Sequence, residues 1–224
     1  MGSQELLYTS LLDKREIRID MFRIICLIIG YFFGCISTAY IIGKVRKVDI
    51  RSQGSGNLGA TNTVRALGFK MGVVTFFGDA LKTTAAFFVC KFLFQDNAIV
   101  AAFYGAAGAI LGHDFPFYLN FKGGKGIACS VGMMFGALPF PAIPVFGIII
   151  AILMYGYVSL MSLIFSLIIP ISLYLTNYPM EVVVITLLLS ALAFFQHREN
   201  IKKLINGTEH RFDILSKLKL RKKE

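Results

Sequence analysis

Long apolar runs, Ile24–Ile42, Ala142–Met154 and Val182–Phe195 among them, recur along the chain and are broken only by short polar segments. In water such runs would leave broad apolar surface uncovered. In a bilayer a helix satisfies its own backbone and turns its side chains to lipid. The fold class expected is an all-α integral membrane protein, a bundle of about seven transmembrane helices. Composition agrees: 56% hydrophobic residues and a mean hydropathy of +0.68 over 224 residues are too apolar for a soluble domain of this length. Trp is absent, but 9 Tyr and 21 Phe can serve the interfacial belts.

Seven spans are expected, at Phe22–Gly43, Gly72–Phe94, Ala98–Gly112, Ile127–Leu138, Ala142–Tyr155, Leu160–Leu175 and Met180–Phe195. Several fall short of the roughly 20 residues that cross a full hydrocarbon core, so either they extend into the flanking loops or the polar loops dip into the bundle. Pro139, Pro141 and Pro144 mark one turn and Asn177-Tyr178-Pro179 another. Residues 1–20 form a mixed-charge lead-in without the apolar core of a signal peptide, residues 21–212 the membrane domain, and residues 213–224 a basic tail.

Sidedness follows from the cations. Lys44, Arg46, Lys47, Arg51, Arg65 and Lys70 follow the first span; Lys122 and Lys125 follow the third; Arg198, Lys202, Lys203 and Arg211 open the tail. Two spans separate the first group from the second and four the second from the third, so all three face one compartment. The positive-inside rule makes that compartment the cytoplasm, with the N-terminus outside and the C-terminus cytoplasmic, although Lys14, Arg15, Arg18 and Arg23 run against it. A net charge of +10 on so apolar a chain suits anionic headgroups and phosphorylated substrates, and no nucleic acid. Cys26, Cys35, Cys90 and Cys129 are scattered through apolar stretches, as small buried hydrophobes rather than disulfides or metal ligands.

Three polar segments carry the chemistry: GSGNLGATNTVR (Gly54–Arg65), FKGGKG (Phe121–Gly126) and HRENIKKLINGTE (His197–Glu209). Gly54, Gly56 and Gly59 let backbone N–H groups approach an anion, Ser55, Asn57, Thr61 and Asn62 add hydrogen bonds, and Arg65 can clamp two phosphate oxygens. The competing reading is a flexible inter-span turn. FKGGKG lacks the Ser or Thr that follows the lysine of a Walker loop, so nucleotide hydrolysis is not indicated; Lys125 suits a phosphate or a carbonyl oxyanion, and Lys122 a topology determinant. His197 and Asn200, three apart, share a helical face after the last span, and Glu209 is expected to brace a cation. His113, at a helix end, reads as structural. Asp79 and Lys82, at i, i+3 inside the second span, should pair with each other or with Arg65. Ser159 and Ser162 in YVSLMS read as packing residues.

Taken together, SGNLGATNTVRALG, LGHDFP with FKGGKG, YVSLMS and HRENIKKLINGTE closely resemble the bacterial acyl-phosphate:glycerol-3-phosphate acyltransferases, the PlsY family, from about Met21 to Arg211. The resemblance implies a seven-helix bundle in the bacterial inner membrane with its active site at the cytoplasmic face. It implies transfer of a fatty acyl group from acyl phosphate to the 1-hydroxyl of glycerol 3-phosphate, giving lysophosphatidic acid and phosphate, the first step of phospholipid synthesis. The partners implied are the two substrates and membrane lipids, for a monomer with no cofactor and no metal.

Carried over position by position, the resemblance makes Ser55, Arg65, Lys125, Ser162, His197 and Asn200 the catalytic set. Phosphate contacts would come from Gly56, Asn57, Gly59, Ala60, Thr61 and Asn62 and from Gly123, Gly124 and Gly126, with Asp79, Lys82 and Glu209 in support. The chain departs from the family pattern at Gly156, where an Arg is usual, at Thr83, where Gly is frequent, and at Cys129, where Thr is common. Acyl phosphate is a mixed anhydride, already activated, so no acyl-enzyme is needed; the protein must hold two anions and aim a hydroxyl at a carbonyl. Whether His197 or a substrate phosphate oxygen takes the hydroxyl proton stays open on sequence alone. No His is followed five residues later by Asp, as an acyl-CoA-type acyltransferase requires, and no metal-ligand spacing or transporter-like internal repeat is present.

Overall fold

The computed structural model describes residues 21–137 and 156–210. The expected fifth span, the lead-in and the basic tail lie outside the described residues. The first span is a broken helix. Residues 21–35 form α1, residues 36–37 leave the helix, and α2 resumes at Thr38–Val45 with Ser37 accepting from the Tyr40 N–H at 3.4 Å. Breaking a helix within the membrane frees carbonyls that water cannot satisfy. Lys82, from a neighbouring helix, supplies the donor: its Nζ lies 2.8 Å from both the Gly34 and the Ile36 carbonyl oxygens.

A short helix, α3 (Ala60–Leu67), follows the first glycine-rich loop, and Gly68 at φ +85° turns the chain into α4 (Phe69–Leu93). Next come α5 (Ala98–Asp114), α6 (Ile127–Gly136), α7 (Val158–Leu175), α8 (Met180–Gln196) and α9 (Arg198–Ile205). Gly108 and Gly112 let α5 pack directly on α1, because a Cβ at either would overlap the Leu27 or the Tyr31 carbonyl. Phe87, Phe103, Met133, Met134, Phe165 and Leu173 fill the centre between α4, α5, α6 and α7. Outward-facing apolar side chains such as Ile24, Phe32, Leu81, Phe92 and Leu188 remain exposed, as lipid contact requires.

Among the described residues four helices are long and apolar enough to cross a membrane, or five if α8 and α9, bent by 60°, count as one. Within the expected fourth span the described helix is α6, whose 10 residues rise about 15 Å, and Leu138 at the end of that span lies outside the described residues. All four cysteines are buried and free, as expected of small core residues. At the end of the bundle remote from the glycine-rich loops, Arg23 makes two bonds to Glu181, at 2.6 and 2.9 Å, and Tyr104 adds a third at 2.9 Å, tying α1, α5 and α8 together.

Candidate active site

The loop of residues 46–59 is held by one buried side chain. Asn62 Nδ2 donates to the Ile50 and Gln53 carbonyls at 3.1 and 3.0 Å, and its Oδ1 accepts from the Ser55 N–H at 3.0 Å. Gly54 and Gly56 have φ of +54° and +71°, so glycine is required for the turn that Asn62 closes. Asn62 therefore spends its amide on the loop rather than on a ligand. What the loop presents is the start of α3: Gly59, the N-cap, offers no side-chain acceptor, and the first N–H groups of a helix have no intrahelical partner. Gly59, Ala60 and Thr61 line a cavity there, with Arg65 one turn further on.

The second glycine segment is stitched to the end of α5. Gly123 N–H donates to the Asp114 carbonyl and Gly124 N–H to the His113 carbonyl, both at 3.0 Å, while Leu58 N–H reaches the Gly123 carbonyl at 3.3 Å. Phosphate contacts from Gly56, Gly123 and Gly124 are thus not what the geometry provides. Their N–H groups are engaged by backbone, that of Gly56 by Gln53, and none of the three lines the cavity; Gly126 does. Their smallness has another cause. A Cβ on Gly124 would overlap the His113 ring, which is itself fixed by Lys82 Nζ at 3.0 Å from Nδ1. Gly124→Ala is accordingly expected to lower stability by about 1–3 kcal/mol through overpacking, read as a lower Tm in detergent.

His113, expected to be structural, is buried and also lines the cavity. It completes a buried cluster in which Lys82 pairs with Asp79 at 3.1 Å and Thr38 Oγ1 donates to the same carboxylate oxygen at 3.1 Å. Asp79 and Lys82 pair with each other, not with Arg65. Of the two, only Asp79 lines the cavity.

At α8–α9 the 60° bend falls on His197, C-cap of one helix and N-cap of the next. Its side chain is buried, and its Nδ1 lies 2.8 Å from the Ala193 carbonyl oxygen. A carbonyl only accepts, so Nδ1 carries the proton and Nε2 is left with a free lone pair in neutral imidazole. Asn200 Oδ1 accepts from Lys125 Nζ, and Asn200 Nδ2 donates to Glu209 Oε1 at 2.9 Å. Ser159 Oγ donates to the same Glu209 oxygen at 2.8 Å. Glu209 thus fixes which way the Asn200 amide faces, and so holds Lys125 at one remove instead of bracing a cation by direct contact. Burial lowers the Lys125 pKa from the ordinary lysine range; Glu209 opposes the shift, and Lys203, Arg65 and Arg198 add to it.

The cavity, of about 260 Å³, is lined by Ser55, Arg65, Lys125, Ser162, His197 and Asn200 together, although these residues come from four distant stretches of chain. Asn57, Asn62, Asp79, Gly126 and Glu209 join them. Ser162 Oγ bonds the Val158 carbonyl of its own helix at 2.8 Å, leaving its oxygen lone pairs for a ligand. Sequence reasoning undervalued Ser159, read as packing, and passed over Phe76 and His210, which also line the space. Ser159 lies three residues before Ser162, on the same helical face, which was the available signal.

Residues 24–207 match the family model described as glycerol-3-phosphate acyltransferase. A glycerol-3-phosphate acyltransferase of Alkaliphilus metalliredigens is 41% identical over 192 residues, which cover 84% of this chain and 95% of the relative. Among solved structures, the glycerol 3-phosphate form of PlsY, an integral membrane glycerol 3-phosphate acyltransferase, superposes with a TM-score of 0.80 at 36% identity, covering 88% of this chain and 98% of the other. A lysophosphatidic acid form of PlsY gives a TM-score of 0.76 at 35% identity, covering 85% and 95%.

Proposed function

The chain belongs to the glycerol-3-phosphate acyltransferase family, and we propose that it transfers a fatty acyl group from acyl phosphate to the 1-hydroxyl of glycerol 3-phosphate, giving lysophosphatidic acid and inorganic phosphate. The observation that carries this reading is the convergence of Arg65, Lys125 and His197 on one cavity together with the uncapped start of α3. Two cations and a set of free N–H dipoles suit two phosphate groups held side by side.

Arg65 and the first N–H groups of α3 bind phosphate oxygens, with Ser55 and Asn57 adding hydrogen bonds. Lys125, held by Asn200, stabilises charge growing on the carbonyl oxygen or on the departing phosphate. The 1-hydroxyl oxygen attacks the carbonyl carbon, the bond from that carbon to the phosphate oxygen breaks, and the phosphate leaves with both electrons. The hydroxyl proton passes to His197 Nε2; the Nδ1–H bond to Ala193 supports this by fixing the tautomer with Nε2 bare. Ser162 lies on the same wall and orients the hydroxyl. The acyl chain leaves the cavity along Phe76, Ile127 and Val158, into an apolar groove between helices.

The reading extends to the whole molecule. Residues 21–212 form the acyltransferase domain, a seven-span bundle in the bacterial inner membrane, with the cavity and the C-terminus on the cytoplasmic side, working as a monomer. The concentration of Lys44, Arg46, Lys47, Arg65, Lys70, Lys122 and Lys125 in the chain segments that also carry the cavity residues supports that orientation. The mixed anhydride is activated before it binds, so the chemistry asks for no cofactor.

The direct test uses purified protein, radiolabelled glycerol 3-phosphate and palmitoyl phosphate in detergent. Labelled lysophosphatidate is expected with no acyl-CoA or acyl carrier protein added, and its absence would reject the reaction. For His197→Gln, kcat should fall about 10²–10⁴-fold. In wild type the rate should decline as acidification protonates Nε2, and that limb should vanish in the variant. An unchanged pH profile with most activity retained would pass the proton to a substrate phosphate oxygen instead.

A further inference from the structure

A second cavity, of about 330 Å³, opens beside the loop of residues 46–59 and shares no lining residue with the first. Tyr40, Lys44, Lys47, Asp49 and Arg51 surround it over an apolar floor that includes Ile50 and Leu58. The cations are gathered rather than scattered: Lys44 Nζ lies 5.5 Å and the Arg51 guanidinium carbon 5.9 Å from the centre of the Tyr40 ring. Asp49 is neutralised by Arg51, which meets its two oxygens at 3.1 and 3.2 Å and holds its carboxyl below the usual carboxylate range. Three cations against one carboxylate leave the space electropositive.

Lys47 adds an independent observation. It stands just past the last turn of α2, where Arg46 N–H closes on Ile42 and Val48 N–H on Gly43, and it has a φ of +56°. Glycine is the ordinary occupant of that left-handed position, since a side chain there is conformationally costly. A strained lysine facing a cation-lined cavity points to a role for its ammonium group. The flanking apolar surface is also informative. Ile41 and Val45, on the outward side of α2, are 49% and 75% exposed, so an apolar strip leads outward from the cation cluster.

We propose that this cavity binds the phosphate of an anionic membrane lipid headgroup, and that its occupancy steadies the substrate-binding loop. The coupling is physical. Ile50 belongs to the floor, and its carbonyl accepts the Asn62 bond that closes the loop; Leu58 belongs to it too, and its N–H bonds Gly123 in the segment that carries Lys125. Binding is independent of the reaction assigned above, whereas the kinetic consequence rests on it.

Two measurements test this, with Lys47→Gly, which removes the cation and relieves the backbone, and with the double variant Lys44→Gln/Lys47→Gly. Native mass spectrometry from neutral micelles should find wild type retaining phosphatidylglycerol in preference to phosphatidylcholine, and the double variant retaining neither preferentially. Equal preference in both proteins would overturn the site without touching the reaction. In vesicles, adding phosphatidylglycerol to phosphatidylcholine should lower the wild-type KM for glycerol 3-phosphate about five-fold and should not lower that of the double variant. Surface charge alone repels the anionic substrate and pushes KM the other way, so a fall in KM is diagnostic. The same fall produced by soluble glycerophosphoglycerol in phosphatidylcholine vesicles would overturn the lipid assignment in favour of a free phosphate ester.

Discussion

Lys125→Ala is expected to lower kcat/KM for acyl transfer by about 10²–10³-fold, the usual loss when a donor aimed at developing negative charge is removed. The expectation comes from where the ammonium sits: in the cavity wall, held by the Asn200 amide oxygen, with Arg65 and His197 lining the same space. Lys125→Arg should recover part of the loss, because charge is kept while position is not. The pH dependence has a definite sign. The role needs the protonated amine, and burial lowers its pKa. Activity is therefore present below that pKa and lost as pH rises through it, so the alkaline limb should begin below the ordinary lysine range. In Lys125→Arg that limb should move out of reach, because a guanidinium keeps its proton. Rate profiles of the three proteins in one detergent check both points.

Lys82→Met should be the most damaging substitution for stability. Lys82 Nζ satisfies the carbonyls of Gly34 and Ile36 at the break in the first span, pairs with Asp79 and bonds His113. Removing it leaves a buried carboxylate without its cation and two carbonyls without their donor. Breaking a buried ion pair from one side costs about 3–5 kcal/mol. A Tm lower by roughly 10 °C in detergent is expected for a chain of this size. Adding Asp79→Asn to Lys82→Met should regain part of that loss, because the stranded charge is gone although the carbonyls stay open. A double variant no more stable than the single one would show that the carbonyls, not the ion pair, dominate.

Much of the architecture was legible because the apolar runs are long and the bilayer leaves the backbone few options. The spans at α4, α5, α7 and α8 fall within a few residues of their expected limits. The break at residues 36–37 was not legible. The sequence there reads Gly-Cys-Ile-Ser-Thr, apolar enough to continue a helix, and the group that stabilises the break, Lys82, is remote in sequence. Nor was α3, since ATNTVRAL carries β-branched and polar residues that favour loop over helix; packing against α4 overrides that preference.

The site separates along the same line. Arg65, Lys125, His197 and Asn200 were marked by chemistry that an apolar chain does not place idly in its loops. The duties of Gly123, Gly124 and Asn62 were not, because a glycine kept for closeness and one kept for an anion look alike in sequence. Glu209 was read as a partner of a cation. Its actual contacts, Asn200 and Ser159, lie 9 and 50 residues away, and only the fold brings the second into range.

In the mechanism proposed above, one cavity holds both phosphorylated substrates at once and the acyl group passes directly between them. Initial rates measured over a grid of acyl phosphate and glycerol 3-phosphate concentrations decide it. Double-reciprocal lines that intersect are predicted, together with no acylated protein on incubation with acyl phosphate alone. Parallel lines, or a stable mass increment of one acyl chain on the enzyme, would contradict it.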